Sequence, residues 1–117
     1  MDDPSAVPPV PEQALPPEQA LDLAQDLLDQ GRAFAAHEVL EASWKAACAP
    51  ERARWQGLAQ VCVGVTHLQR GNLVGGVRLL RRGAGTLGPH PVAAQALAAA
   101  AEVEAGRVDV PKIRLRD

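Results

Sequence analysis

Apolar residues recur at intervals of three and four along most of the chain, which is the period of an amphipathic α-helix. Leu21, Ala24, Leu27 and Leu28 form one such stripe, and similar stripes follow in four later segments. Glycine and proline separate these segments by short turns, so neighbouring helices are expected to be antiparallel. The pattern predicts an all-α fold, an antiparallel bundle of four or five helices. The predicted helices begin at Pro17, Ala33, Pro50, Leu73 and Pro91.

The ends of these helices carry recognisable signals. Gly31, Gly71 and Gly106 each follow a helical stripe, as glycine does when it ends a helix in the left-handed conformation. Asn72 stands where an N-cap is expected, directly before the fourth segment. Residues 83–91 combine glycines with Gly-Pro and His-Pro pairs, which predicts a loop.

The bundle is expected to occupy residues 16–106, with a different kind of segment on each side. Residues 1–15 are rich in proline, which disfavours a helix and predicts a flexible, extended arm. Residues 107–117 alternate apolar and charged side chains, which predicts an extended tail that packs on the bundle.

Composition narrows the class of protein without naming an activity. At 117 residues the chain is expected to form one domain, and its net charge of −2 does not favour a polyanionic partner. The start lacks a signal-peptide pattern, and no apolar run approaches the roughly 20 residues of a membrane span, so we expect a cytoplasmic protein. Cys48 and Cys62 lie in apolar helical contexts without a CxxC pattern, which predicts two free, buried thiols.

Polar residues interrupt the apolar stripe of the second helix. Phe34, His37, Glu41, Trp44 and Cys48 step by three or four and therefore share one face. The apolar members of this stripe favour burial, so His37 and Glu41 are expected to face inward or to line a cleft. Glu38 lies about 100° further round, at the margin of the stripe.

The third helix carries a similar stripe. Gln60 and His67 lie two turns apart on one face, with Gly64 between them. Gly64 would let another helix approach closely or leave room for a ligand. If the second and third helices are antiparallel, His37 and Glu41 lie level with Gln60 and His67. The sequence therefore predicts that these polar groups converge.

The chain resembles a known family at these positions. The segments FAAHEVLEASW and GLAQVCVGVTHLQRGNLVGGVRLL are similar to domain-of-unknown-function family 309, a group of small helical prokaryotic proteins. The similarity covers about residues 28–85. It implies an all-helical bundle and implies no activity. The matching residues are His37, Glu38, Leu40, Glu41, Trp44, Gln60, His67, Arg70, Gly71 and Asn72.

One hypothesis for the polar cluster is a metal site. HEVLE is similar to the HExxH motif of zinc proteases, in which two histidines bind zinc and the glutamate is the base. Here a glutamate replaces the second histidine. His37, Glu41 and His67 would then bind a divalent metal, and Glu38 would be the candidate catalytic base. Chance occurrence of HExxE on amphipathic helices means that a metal cofactor is not favoured.

Three other hypotheses remain open. In the first, the cluster is a pocket for a small molecule, with Trp44 and Trp55 as apolar walls and Glu41, Gln60 and His67 as directional contacts. Alternatively, it is a buried hydrogen-bond network that sets helix register, or simply a solvated face.

Positive charge around the fourth helix lacks interleaved aromatic residues, so nucleic-acid binding is not expected. The arginines concerned are Arg70, Arg78, Arg81 and Arg82.

Two functional classes follow from these hypotheses. The first is a small-molecule or metal-ion binding domain, with enzymatic activity left open. The second is a helical protein–protein interaction or scaffold module in which the polar cluster is structural. The sequence selects neither class and does not set the oligomeric state.

Overall fold

The computed structural model describes residues 13–116, so most of the predicted N-terminal arm, residues 1–12, lies outside the described part of the chain. Within these residues the secondary structure is helical, which confirms the predicted all-α fold. None of these helices has the length and apolar character of a membrane span. The helices are α1 Pro17–Asp29, α2 Ala33–Ala46, α3 Ala49–Gln69, α4 Leu73–Leu87 and α5 Pro91–Glu104.

Two of the turns are built in the same way. Gly31 and Gly71 have φ angles of 78° and 80°, the left-handed conformation that glycine adopts without steric cost. After α1, the amide of Gly31 donates to Leu28 O (3.0 Å) and that of Arg32 to Leu27 O (2.8 Å). The corresponding bonds after α3 have the same lengths, so both turns are Schellman motifs. These glycine caps confirm the predicted ends of α1 and α3.

The fourth helix is longer than its sequence suggested. The prediction of a loop over residues 83–91 was wrong for residues 83–87, because α4 continues to Leu87. The loop comprises residues 88–90 and begins at Gly88, whose φ is 64°. Gly83 is buried against α3 inside this helix, where a larger residue would not fit. Packing against α3 therefore outweighs the low helix propensity of glycine here. Asn72 caps the start of α4 as predicted, accepting a hydrogen bond from the amide of Gly75 (2.9 Å).

The helices pack mainly against their neighbours in the chain. The principal contacts join α1 to α2, α2 to α3, α3 to α4 and α4 to α5, so α3 lies at the centre of the domain. Its buried side chains include Trp55, Leu58 and Val61. Buried alanines of α2 and buried glycines of α4 let these two helices pack closely against it.

Four glycines bring α3 and α4 together at close range. A Cβ atom added to Gly64 would lie 3.1 Å from the carbonyl oxygen of Gly76, and a Cβ on Gly76 would lie 3.1 Å from that of Gly64. Gly57 and Gly83 form a second reciprocal pair of this kind. Of the two roles that the sequence suggested for Gly64, close helix packing is therefore the one that the structure shows.

The C-terminal segment joins the first helix to the last. Ile113 and Leu115 are buried, and the backbone between them is held from both sides. The side-chain amide nitrogen of Gln25 on α1 donates to Ile113 O (3.1 Å). In return, the backbone amide of Leu115 donates to Gln25 Oε1 (2.7 Å). Gln95 on α5 forms the same double contact with Arg114, at 2.9 and 2.8 Å. This extended segment thereby bridges two helices that are distant in sequence.

Candidate functional site

A chain of polar contacts runs along one side of α2. Glu41 accepts hydrogen bonds from His37 Nε2 (2.8 Å) and from Lys45 Nζ (2.9 Å), each four residues away and one turn along the helix. Both carboxylate oxygens of Glu41 are therefore occupied. The hydrogen bond from Lys45, followed by the charges of Lys45 and His37, lowers the pKa of Glu41 despite an opposing effect of burial. A carboxylate held in its charged form in this way is a poor general base at neutral pH.

His37 is the most enclosed member of this chain. Its side chain is 18% exposed. In the neutral form of the ring, donation from Nε2 to Glu41 leaves Nδ1 as the acceptor. That Nδ1 atom is buried and has no hydrogen-bond partner among the described residues. His37 is thus oriented by a carboxylate through one nitrogen, while its second nitrogen is left to accept a hydrogen bond from another group.

Phe34 connects His37 to the end of α3. The rings of Phe34 and His37 are 5.2 Å apart between centroids and tilted by 47°. The guanidinium carbon of Arg70 lies 5.7 Å from the centroid of the Phe34 ring, within the range of a cation–π interaction. The aromatic ring is therefore held between two side chains although it is 49% exposed.

The predicted inward face of α2 was wrong in its angle about the helix axis. Phe34 and Cys48 are exposed and Trp44 is only partly buried, whereas the stripe had predicted burial of all three. The side chains that face the core are mostly small, because α2 packs between α1 and α3 and has little room on that side. They are Ala33, Ala36, Val39, Leu40 and Ser43.

The side chains of Gln60 and His67 form hydrogen bonds with α4 and with the turn before it, and not with α2. Gln60 Oε1 accepts a hydrogen bond from the hydroxyl of Thr86 (2.7 Å), which joins α3 to α4. The side-chain amide of Asn72 lies 3.2 Å from His67 Nδ1, within the turn that follows α3. The hydrogen bonds of these side chains therefore do not connect them to His37 or Glu41.

The predicted ligand set of His37, Glu41 and His67 is not assembled. Across residues 13–116, no group of three or more His, Cys, Asp and Glu side chains is placed to hold a metal ion. The structure brings His37 and Glu41 together and leaves His67 with Asn72. Glu38, the candidate base, is exposed.

Some contacts were missed by the sequence interpretation. Lys45 follows Glu41 by four residues, a spacing that is itself a signal for an ion pair on a helix. The contact between Arg70 and Phe34 had no such signal, since it depends on how α2 and α3 pack. The positive charge predicted around α4 is partly neutralised, because Arg81 forms an ion pair with Glu104 of α5.

The two cysteines differ in their surroundings. Cys62 is buried as predicted, and burial raises the pKa of its thiol to about 12. It is therefore protonated at neutral pH and is not a nucleophile. Cys48 is exposed at the start of α3, so the prediction that it is buried was wrong. Its position in the short turn between α2 and α3 explains the exposure.

Comparison with protein families places the polar chain in a wider context. The family model described as Domain of unknown function (DUF309) matches residues 21–79. The chain belongs to DUF309. The matched region runs from Leu21 in α1 to the middle of α4, so it contains His37, Glu41 and Arg70, while α5 and the C-terminal segment lie beyond it. No curated protein matches the chain, and no solved structure matches it.

Proposed function

We propose that this DUF309 chain is a helical protein-interaction module whose contact surface is centred on Phe34 and Arg70. The observation that carries the proposal is the exposure of Phe34, the only phenylalanine of the chain, at 49%. A large apolar ring is costly to leave in water, and aromatic and arginine side chains are enriched among the residues that dominate binding energy in protein interfaces.

The ring of Phe34 is held in place before any partner arrives. His37 contacts it on α2, and Arg70 approaches it from the end of α3. His37 is in turn fixed by Glu41, which Lys45 also binds. An interface residue that is already ordered loses less conformational entropy on binding. The polar chain of α2 thus has a structural role in this proposal, which is to support the contact residue.

Further apolar side chains lie at the same end of the molecule. The side-chain amide of Gln69 donates to Gly31 O (3.0 Å), so the α1–α2 and α3–α4 turns lie side by side. Leu73 and Val74 begin α4 directly after the second turn and are 49% and 72% exposed. We call the set of Phe34, Arg70, Leu73 and Val74 the two-turn surface. Its chemistry suits a partner that presents apolar side chains next to a carboxylate, which Arg70 would bind.

Site-specific photo-crosslinking tests the proposal. A photoreactive phenylalanine analogue at position 34 is expected to form a discrete crosslinked product in cells, which mass spectrometry would identify as another protein or as a second copy of this chain. The same analogue at Leu97, which is 52% exposed on α5, is the matched control and is expected to form no such product.

Binding measurements with the identified partner complete the test. Phe34→Ala and Arg70→Ala are each expected to weaken binding by about tenfold or more, as substitution of interface hot spots does. Leu97→Ala is expected to leave the dissociation constant unchanged. Equal crosslinking from positions 34 and 97, or equal affinities for all three variants, would reject the interaction surface.

A small polar ligand at His37 is the second candidate function. The observation that favours it is the buried, unpartnered Nδ1 atom, which would accept a hydrogen bond from such a ligand once a neighbouring side chain moves to admit it. Native mass spectrometry of untagged protein distinguishes the two proposals. A stoichiometric bound molecule that is lost in His37→Ala but kept in Phe34→Ala would support the ligand site. Protein of the unliganded mass would count against it.

A further inference from the structure

A cavity of about 200 Å³ lies between α1, α3, the start of α5 and the C-terminal segment, and no residue of the two-turn surface lines it. Its floor includes the apolar side chains of Leu58 and Leu115, both fully buried. Leu21, Pro91 and Val92 add further apolar surface, and the polar walls are neutral or basic. They include Arg54, His90, Gln95, Arg114 and Arg116.

Three arginines from two separate parts of the chain meet at this cavity. Arg54 comes from α3, and Arg114 and Arg116 come from the C-terminal segment. Of the described residues that line the cavity, none is acidic. Like charges gathered at one cavity repel one another, and a negatively charged ligand would remove that repulsion.

Acidic residues outside the cavity neutralise part of this charge. Arg116 forms ion pairs with Glu18 and Asp22 of α1. A terminal nitrogen of Arg54 lies 3.1 Å from a carboxylate oxygen of Glu51. These ion pairs leave donors of Arg54 and Arg116 for other partners, because a guanidinium has five N–H groups.

One of the remaining donors is already buried. Nε of Arg54 is inaccessible to solvent and has no hydrogen-bond partner among the described residues. Its guanidinium also lies 4.9 Å from the ring centroid of Trp55, which restrains the side chain. A buried N–H group without an acceptor is unfavourable. The Arg54 side chain is otherwise 41% exposed, and its terminal N–H groups are the donors that would bind an anion.

His90 adds a second donor at the start of α5. Its Nδ1 accepts a hydrogen bond from the amide of Val92 (3.1 Å), which leaves Nε2 to carry the ring proton. The start of a helix also has a partial positive charge that favours anions. Burial and then the charge of Arg54 lower the pKa of His90, as expected where the surroundings are already positive.

The C-terminal segment is ordered at the point where it lines the cavity. Gln95 holds the backbone of Arg114 through two hydrogen bonds, and Leu115 is buried beside it. The arginines of this segment are therefore presented from a fixed backbone, which lowers the entropic cost of binding.

We infer that this cavity binds a small organic anion, with its phosphate or carboxylate group among Arg54, His90 and Arg114 and its apolar part on Leu58 and Leu115. The volume lies below the roughly 300–1,000 Å³ of pockets for drug-sized ligands, so the ligand is small. The lining of the cavity shares no residue with the two-turn surface, so the site does not depend on the proposed interaction surface.

Titration of the full-length chain with three probes tests the inference. We expect phenyl phosphate or benzoate to bind in isothermal titration calorimetry, and their comparison shows whether the site prefers a phosphate or a carboxylate. Inorganic phosphate is expected to bind more weakly than phenyl phosphate, because it lacks the apolar part. In NMR spectra, the affected amides should be those of the α5 start and residues 113–116.

Two arginine variants distinguish specific binding in the cavity from general attraction of anions to a positively charged surface. Arg114→Gln is expected to weaken binding by about tenfold, while its backbone contacts and folding are retained. Arg52→Gln removes the same charge from an exposed position on α3 outside the cavity and should change affinity by less than about twofold. Absence of binding by both organic probes, or equal losses in the two variants, would overturn the inference.

Discussion

Gly64 on α3 and Gly76 on α4 are in reciprocal backbone contact, with each Cα facing the carbonyl oxygen of the other residue. Gly57 and Gly83 form the same kind of contact. Gly57 lies seven residues before Gly64 on α3, and Gly83 lies seven residues after Gly76 on α4, as expected for antiparallel helices. The spacing matches two helical turns, so both pairs lie on the same line of contact. This line lets the backbones of α3 and α4 approach more closely than larger side chains would permit.

The first prediction concerns the steric role of these glycines. A Cβ at Gly83 would lie 2.7 Å from a methyl carbon of Val61 and 3.0 Å from the carbonyl oxygen of Gly57. Because valine is restrained and the backbone cannot move locally, Gly83→Ala should lower the free energy of unfolding by about 1–3 kcal/mol. Urea denaturation would measure the change.

Gly85 supplies the matched control on the same helix. It is exposed, and an added Cβ would meet nothing within 4 Å. Gly85→Ala should therefore stabilise the protein by up to about 1 kcal/mol through helix propensity alone. Equal effects of the two substitutions would show that close packing of α3 and α4 is unimportant.

The helix pattern and the helix ends were the features that the sequence predicted well. Periodic apolar residues marked five segments, and the left-handed glycines marked ends at Gly31, Gly71 and Gly106. The end of α4 was predicted too early, because local propensity counts Gly83 as a helix breaker. Only the packed structure shows that α3 occupies the space that a side chain at position 83 would need.

The second prediction compares the two tryptophans. Trp55 is 4% exposed in the core, whereas Trp44 is partly buried at its edge. Trp55→Ala should lower the free energy of unfolding by about 3–5 kcal/mol, and Trp44→Ala should cost less than about 3 kcal/mol. Thermal denaturation of both variants would measure the difference. A larger loss of unfolding free energy for Trp44→Ala than for Trp55→Ala would support the face of α2 that the sequence predicted to be buried.

The orientation of α2 was missed for a physical reason. Large apolar residues carry most weight in a hydrophobic pattern, so Phe34 and Trp44 appeared to define the buried face. Because α2 packs between two helices, its inward face instead requires small residues such as Ala33 and Ala36. Which stripe is buried depends on neighbours that a single sequence does not reveal.

The candidate site was predicted in part for the same reason. The pair of His37 and Glu41 follows from their spacing within one helix, and the structure shows it. Convergence with Gln60 and His67 required the relative rotation of α2 and α3, which spacing does not specify. Both side chains turn instead to residues of α4 and of the turn before it.

The third prediction concerns the bridge between α1 and the C-terminal segment. Gln25→Ala would leave the carbonyl of Ile113 and the amide of Leu115 without their partner. The free energy of unfolding should fall by about 1–3 kcal/mol, as expected for unsatisfied groups in a partly buried site. Gln19→Ala, at an exposed position of the same helix, should change it by less than about 0.5 kcal/mol.

Hydrogen exchange gives an independent check on this bridge. The amide of Leu115 donates to Gln25 and should exchange faster in Gln25→Ala than in the native chain. Unchanged protection of that amide, together with unchanged stability, would mean that the segment is held by its buried side chains alone.

The fourth prediction concerns the dependence of stability on pH. Burial, and secondly the charge of Arg54, lower the pKa of His90 below its usual 6.5. The unfolded chain therefore binds this proton more readily than the folded chain. The stability that neutral His90 contributes is fully present above pH 6.5. It is lost as the pH falls from 6.5 through the lower pKa that His90 has in the folded chain.

His90→Asn isolates this contribution, since asparagine is a good N-cap and does not titrate. In chloride buffer without phosphate, acidification below pH 6.5 should lower the urea midpoint of the native chain more than that of His90→Asn. The effect should be smaller in an Arg54→Gln background, because the second cause of the shift is then absent. Parallel pH profiles for the native chain and His90→Asn would show that His90 stays equally protonated in the folded and unfolded states, and that the start of α5 lacks the buried, positive surroundings described for it.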